Sequence, residues 1–462
     1  GGFIPKSALV SLSPSPDEQL RRHRSPCQET AVAIDRNLPE TVTPKQVRPL
    51  RVATASFVGT AIEWYDYFIY GMAAAIAFGP LFFPGVSSAA GTLAAFATYS
   101  VGFFARPVGG IVMGHFGDRV GRKSMLVISL LTMGLATVGI GLLPTYATVG
   151  VWAPILLVTL RFIQGIGVGG EWGGAVLMAV EHAPDRKKAF YGSFPQMGVP
   201  GGLIIANLVF LGLTTNLSSD AFLAWGWRVP FLASAVMVVA GLVIRLTIAE
   251  SPDFEAVKQS KTKQRMPIVT VLREHWKEVA LSAGAFIGIN AVGYIFMAYL
   301  LSYTTAVLEL SRNRILVLTL IASLVWLAVI PWASALSDRH GRRVVLRAGS
   351  IGLVVCALFL FPMINTANTA LILLALLVTA VFMGIVYGPI AALFSELFRA
   401  EIRYSGASLG YQLGAILGGG IAPTVATGLY TSWSSTTPIA LYLTAVTLIS
   451  LGCVWLVTRR TT

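Results

Sequence analysis

Charge is scarce in this sequence. Asp, Glu, Lys and Arg together make up 12% of its 462 residues, about half the share found in a soluble globular chain. That shortage excludes a cytosolic enzyme or a soluble binding module, whose water-facing surface is rich in ionic side chains. Cysteine is sparse too: Cys27, Cys356 and Cys453 offer no disulfide framework and read as free thiols. The five histidines include no His-Glu-x-x-His or similar metal spacing, and no metal or other cofactor is expected. The sequence has neither a nucleotide-binding domain to drive a primary pump nor a selectivity loop of the kind that marks a channel. Acidic residues are outnumbered, for a net charge of +13. The excess is dispersed over short connections rather than gathered in one patch, so nucleic acid is not a partner.

What the sequence has in plenty is apolar. Hydrophobic residues account for 55% of it, and the mean hydropathy is +0.72. They come in blocks such as 53–78, 93–113, 125–143, 151–180 and 371–394, each near or above the roughly 20 residues that cross a bilayer as a helix. The first follows a polar, proline-containing stretch and so does not read as a signal peptide. Residues 1–49 read as a disordered cytoplasmic tail. Beyond it the pattern predicts an all-α membrane protein with twelve spans, at 52–79, 91–113, 124–144, 150–181, 189–213, 226–248, 278–303, 314–336, 344–364, 369–396, 405–429 and 437–458. The longest break, 249–277, is rich in Lys, Glu and Arg and reads as a cytoplasmic central loop between two six-helix halves, 50–248 and 278–460.

Lys and Arg fall in every second connection. Arg119, Arg122 and Lys123 follow the second span, Arg186, Lys187 and Lys188 the fourth, Arg339, Arg342 and Arg343 the eighth, and Arg399 and Arg403 the tenth. The alternate connections are nearly bare, with Arg312 and Arg314 the exceptions. By the positive-inside rule both termini lie in the cytoplasm, which requires an even number of spans. The halves also carry a repeat. Gly114-His-Phe-Gly-Asp118-Arg119-Val-Gly121-Arg122-Lys123 returns 220 residues later as Ser334-Ala-Leu-Ser-Asp338-Arg339-His-Gly341-Arg342-Arg343. Each copy follows the second helix of its half, the arrangement of secondary transporters, whose substrate site lies near the midplane between the repeats. Asp118 can cap or pair with a neighbouring helix terminus, while Arg122 and Lys123 suit anionic lipid. Ser334 replaces the first glycine, so looser packing is expected there.

Few ionisable residues lie inside the spans. Glu63 and Asp66 are spaced to share one helix face, roughly 16 and 21 Å into the first span at about 1.5 Å per residue. An unpaired ion at that depth costs about 2.5–3.5 kcal/mol or more, and burial beside a second acid favours the protonated form of a carboxyl. The pair is therefore either a proton site or a structural ion pair with an arginine. Glu171 carries the same two readings. Arg106 and Arg161 each present a bidentate fork to a carboxylate. One could bind an anionic substrate while the other neutralises an acid, and Arg106, followed by Pro107, could instead brace its helix. Gln164 and the glycines 165, 167, 169, 170, 173 and 174 lack the strand and lysine of a phosphate-binding loop; small residues at this spacing point to close helix packing. In the second half Asn290, Tyr294, Tyr299, Tyr387, Tyr411 and Gln412 are the polar groups inside spans, suited to substrate contact or to bonds between helices.

Taken together these residues resemble the major facilitator superfamily, whose signature loop is Gly-x-x-x-Asp-Arg-x-Gly-Arg-Lys. Within it the chain is similar to the metabolite:proton symporter family, carriers of shikimate, α-ketoglutarate, citrate and proline or betaine. The matching segments are Glu63-Trp-Tyr-Asp66-Tyr, Arg106-Pro-Val-Gly-Gly, Arg161-Phe-Ile-Gln164-Gly-Ile-Gly-Val-Gly-Gly-Glu171-Trp, Glu250-Ser-Pro and Arg403-Tyr-Ser-Gly-Ala-Ser-Leu-Gly-Tyr411-Gln412. The resemblance covers 50–460 and looks closest to the shikimate-like branch. It implies a monomeric plasma-membrane symporter that carries a small organic metabolite with protons by alternating access. It gives Arg161 a place in the central cavity, and it makes Asp118, Arg119, Gly121, Arg122, Asp338, Arg339 and Arg342 parts of a latch that closes in one conformation.

Overall fold

The computed structural model describes residues 1–2, 49–247, 267–399 and 402–460. The tail expected at 1–49 and most of the central loop lie outside the described residues. Twelve long helical stretches follow one another: α1 Pro49–Ala73, α2 Ser88–Val120, α3 Arg122–Gly141, α4 Trp152–Glu181, α5 Lys188–Asn216 and α6 Arg228–Leu246, then α7 Trp276–Ala306, α8 Arg312–His340, α9 Arg342–Ile364, α10 Thr369–Leu397, α11 Arg403–Trp433 and α12 Thr437–Arg460. Ten are long and apolar enough to cross a membrane. α1 and α2 are long enough as well, but Glu63 and Asp66 in one and Arg106 in the other lower their apolarity. The central loop ends in a short helix, Pro267–Glu274, where only a loop was expected.

The halves are built alike. α1 packs on α5, α2 on α4, and α3 on both α4 and α6; α7 packs on α11, α8 on α10, and α9 on both α10 and α12. Across the interface α8 lies on α5, and its counterpart α2 lies on α11. The repeated loops turn alike too. Gly121 and Gly341 hold φ of 121° and 87°, a region that costs a glycine little and any β-carbon much. A π-turn extends α1 at Ala74–Phe78, and another interrupts α7 at Ile295–Tyr299. The outer faces carry exposed Leu135, Val236, Val239 and Phe359, apolar surface that suits lipid rather than water.

The glycines of α4 act as packing residues. A β-carbon on Gly169 would stand 2.0 Å from the Arg106 carbonyl oxygen, and one on Gly165 would stand 2.3 Å from that of Gly102. α2 and α4 therefore meet backbone to backbone. At Ser334 the expected looseness is not found: Gly388 of α10 faces it, and a β-carbon there would come within 2.4 Å of the serine hydroxyl. The small residue has moved to the partner helix.

Candidate functional site

Among the described residues, six acidic and basic side chains are buried within the first half: Glu63, Asp66 and Glu171, and Arg106, Arg161 and Arg245. They fall into two groups on either side of α1.

Arg106 and Arg161 lie on the side facing the second half, wrapped in aromatic rings. The Arg106 guanidinium carbon is 4.4 Å from the Tyr67 and Phe103 ring centres and 5.4 Å from that of Trp64. That of Arg161 is 4.2 Å from the rings of Tyr67 and Tyr70 and 4.7 Å from Tyr99. Tyr67 thus serves both cations. Arg161 donates to Gln164 Oε1 at 2.5 Å, but Nε and Nη2 of both arginines are buried without an acceptor. Among the described residues neither arginine forms an ion pair. Cation–π contact offsets part of the cost of burying each charge but leaves donors aimed at nothing.

The acids occupy the opposite side of α1, between α3, α4 and α6. Arg245 Nη2 meets Glu63 Oε1 at 2.5 Å and Glu171 Oε1 at 3.1 Å, and Thr60 donates to the same Glu171 oxygen at 3.0 Å. Neither Arg106 nor Arg161 neutralises an acid, contrary to the expectation for one of them. The cation is Arg245, in the last turn of α6. It was missed because it sits at the edge of a predicted span, where arginine ordinarily reaches the lipid headgroups. Asp66 has no cation among the described residues. Its carboxylate accepts a short hydrogen bond from Ser234 and faces Thr137. Each hydroxyl has a second acceptor one turn back on its own helix: Pro230 O for Ser234 at 3.4 Å and Met133 O for Thr137 at 2.9 Å. Both can turn away when Asp66 is neutral. Thr137 also accepts from Gln164 Nε2 at 2.8 Å, so Asp66 and Arg161 are joined through two side chains.

Between the halves lies a small cavity lined by Trp64, Asn290, Tyr294, Trp326, Met383 and Tyr387 among others. Arg106 touches the cavity-lining Trp64 ring, whereas the rings around Arg161, those of Tyr67, Tyr70 and Tyr99, do not line the cavity. Of the polar groups in the second half, Asn290, Tyr294 and Tyr387 face this cavity. Tyr411 stacks on Trp172 at 3.9 Å between ring centres and meets the Tyr387 hydroxyl at 3.1 Å. Gln412 bonds Gly169 O of the other half at 2.9 Å. Tyr299 stacks on Tyr303 at 5.9 Å and does not line the cavity.

The halves meet on both sides of it. At the basic-loop end the Asp338 carboxylate accepts from the backbone N–H groups of Ala189 and Phe190, at 3.0 and 2.8 Å, at the start of α5. Arg342 holds Asp338 at 2.9 Å and Glu396 at 2.7 Å, and Arg403 reaches Glu181 at 3.5 Å. Arg339 is exposed. The side chains of Asp118, Arg119 and Arg122 lie outside the described residues. Towards the other end Ser100 donates to Gly420 O at 3.3 Å and Thr214 to Asn313 at 3.2 Å.

Comparison with known proteins agrees with this architecture. Residues 56–411 match the Major Facilitator Superfamily. The chain is 44% identical to the inner membrane metabolite transport protein YhjE of Escherichia coli K12, over 91% of this chain and 96% of that one. It is 41% identical to the shikimate transporter of the same strain, over 89% and 95%. With the proline/betaine transporter of Salmonella typhimurium it shares 34% identity over 87% and 82%. Among solved structures, the proton:xylose symporter XylE bound to 6-bromo-6-deoxy-D-glucose superposes with a TM-score of 0.74 at 16% identity, covering 90% of this chain and 96% of that one, a likeness of fold. A duplicated bundle of twelve long helices among the described residues, a family match over 56–411 and relatives matched over about nine-tenths of the chain leave one conclusion: the chain belongs to the Major Facilitator Superfamily and is a membrane transporter of small metabolites, not an enzyme.

Proposed function

We propose that this transporter is a symporter that takes up a small organic carboxylate together with protons. One observation carries the reading: two guanidinium groups are buried behind aromatic rings near the cavity, with Nε and Nη2 of each unpaired and no acid among the described residues to balance them. A carboxylate entering from the cavity supplies both the missing acceptors and the missing charge. Arg106, through the Trp64 wall, is the nearer contact, and Arg161 is the one linked through Gln164 and Thr137 to Asp66. Asp66 takes the coupled proton, being the buried acid without a cation and the one whose two hydroxyl partners can serve either protonation state. Asn290, Tyr294, Tyr387, Tyr411 and Gln412 shape the second-half wall. Asp338 and Arg342, with Asp118, Arg119, Gly121 and Arg122 of the first copy, form the latch of alternating access. The protein lies in the bacterial inner membrane with both termini cytoplasmic, in keeping with the basic loops and with the location in the name of its relative YhjE.

The zwitterionic osmolytes carried by the proline/betaine relatives fit less well. The rings of Tyr294, Trp326 and Tyr387 along the cavity suit a quaternary ammonium, but a zwitterion brings its own positive charge and leaves the two buried guanidinium charges unbalanced. Counterflow in proteoliposomes, with labelled shikimate and labelled glycine betaine as probes, tests the choice. The carboxylate should exchange and, with the outside acidified, accumulate until a protonophore is added. Counterflow of betaine alone, or accumulation that persists without any ion gradient, overturns the proposal.

A further inference from the structure

The triad around Arg245 is not needed to bind a carboxylate from the cavity, yet it holds two acids on one cation. Glu63 and Glu171 approach the same nitrogen of Arg245, at 2.5 and 3.1 Å, so two carboxyl groups converge on one guanidinium. Two ionised carboxylates held that close repel each other, and one proton between them removes the repulsion. Glu63 is 2% exposed, and its second oxygen, Oε2, is buried with no hydrogen-bond partner. Two ionised acids against one guanidinium would leave a net negative charge in the bilayer core, where it is costly; a single proton removes it.

Among the described residues the surroundings supply no other cation to balance the pair. α1 contributes Asp66 one turn further on, an acid. α4 contributes Glu171 itself. α11 brings the Tyr411 phenol within electrostatic range of Glu171. On α6 the guanidinium of Arg245 is shared, its Nη1 going to the Leu126 carbonyl of α3. Lys123, at the start of α3, bonds the Leu246 carbonyl at 2.8 Å, beyond the end of the triad. α5 carries no ionisable group past its first turn.

We propose that Glu63 and Glu171 together hold one exchangeable proton, so that the triad is a second proton-binding site besides Asp66. Because Arg245 occupies the last turn of α6, this site lies nearer the basic-loop face than Asp66 does. The inference rests on the reading of Asp66 as the first site, and one experiment separates the two. The purified full-length protein in lipid nanodiscs is titrated with acid and followed by infrared difference spectroscopy. The carbonyl stretch of buried protonated carboxyls is read, with deuterium exchange to identify it. Two such carboxyls should appear. Asp66→Asn should remove about half of the signal, and adding Glu171→Gln, or Glu63→Gln if that double variant folds poorly, should remove the rest. If Asp66→Asn abolishes the whole signal, the triad does not titrate, and the inference falls while Asp66 stands. Should the Asp66→Asn signal persist unchanged through both Gln substitutions, the second site is not the triad and the inference is overturned. A signal that Asp66→Asn leaves at full size overturns the reading of Asp66 instead.

Discussion

Asp66, Arg161 and Arg245 are separable by substitution, because each is asked to do something different. Asp66→Asn fixes the neutral state, in which Ser234 and Thr137 turn to their own helices. That carrier should still exchange labelled for unlabelled substrate but lose uphill accumulation and its pH dependence; uptake that stays uphill would move the coupling site elsewhere. Arg161→Ala should weaken binding of an anionic substrate by about 2–5 kcal/mol, read as the shift in half-saturation for counterflow. Arg245→Ala leaves two buried acids without their cation. Its expected cost is about 3–5 kcal/mol of stability, seen as a lowered melting temperature in detergent and largely relieved when Glu63→Gln and Glu171→Gln are added. The sequence made the acids and the two central arginines visible, because charge inside a 20-residue apolar run stands out. It could not show which acid meets which arginine. That depends on the rotation of each helix about its axis, and Glu63 and Asp66, one turn apart, end with different partners on α6. Ser234 and Thr137 left no trace for the same reason: a hydroxyl that bonds its own helix reads like any other in a membrane span.

Helices were far more legible than contacts. Each of the twelve predicted spans has its helix among the described residues, since a bilayer demands the same apolar length each time. The ends fall within about four residues, counting the π-turn that extends α1, save for α2, which runs on to Val120. The π-turns and the eight-residue helix before α7 are too short for that demand to mark them. At this scale the tight α2–α4 crossing makes a prediction. Gly169→Ala puts a methyl group onto the Arg106 carbonyl and should cost about 1–3 kcal/mol, lowering the melting temperature. Gly212→Ala in α5, where a β-carbon meets nothing within 4 Å, should leave it unchanged. Asp338 tests how one helix end holds another. In Asp338→Asn the side chain offers α5 a single neutral oxygen in place of a charged pair. Turnover should fall much more than substrate affinity, as measured by comparing maximal exchange rate with half-saturation, and equal losses in both would argue against a latch.

Across the whole molecule the division of labour is uneven. Among the described residues the fully buried acids lie in the first half, while the second half offers tyrosines, Asn290 and, near the start of α9, Arg347, which donates to Thr458 at 3.1 Å. On the proposed reading, protons are handled on one side of the cavity and the shape of the substrate is sensed on the other. The number of protons decides the electrical behaviour. A monoanion carried with one proton moves no net charge, and only the pH gradient drives it, by about 1.4 kcal/mol per unit. If Asp66 and the triad both load, one positive charge crosses per cycle and the membrane potential adds about 2.3 kcal/mol per 100 mV. Shikimate-evoked currents on solid-supported membranes at symmetrical pH should therefore be present in the intact protein and vanish in Glu171→Gln.

The bonds that join the halves near the cavity share a further trait. Tyr404 donates to the carbonyl of Gly170, Gln412 to that of Gly169, Gln196 to that of Tyr387 and Ser100 to that of Gly420. In each case a side chain meets main chain, so the accepting residue can change its side chain without changing the acceptor. Substitutions at the donors then need no matching change across the interface. Paired changes among related sequences, the usual trace that natural selection leaves of two residues in contact, should be fainter at these four contacts than at Arg403 with Glu181 or Thr214 with Asn313, where two side chains meet across the same seam.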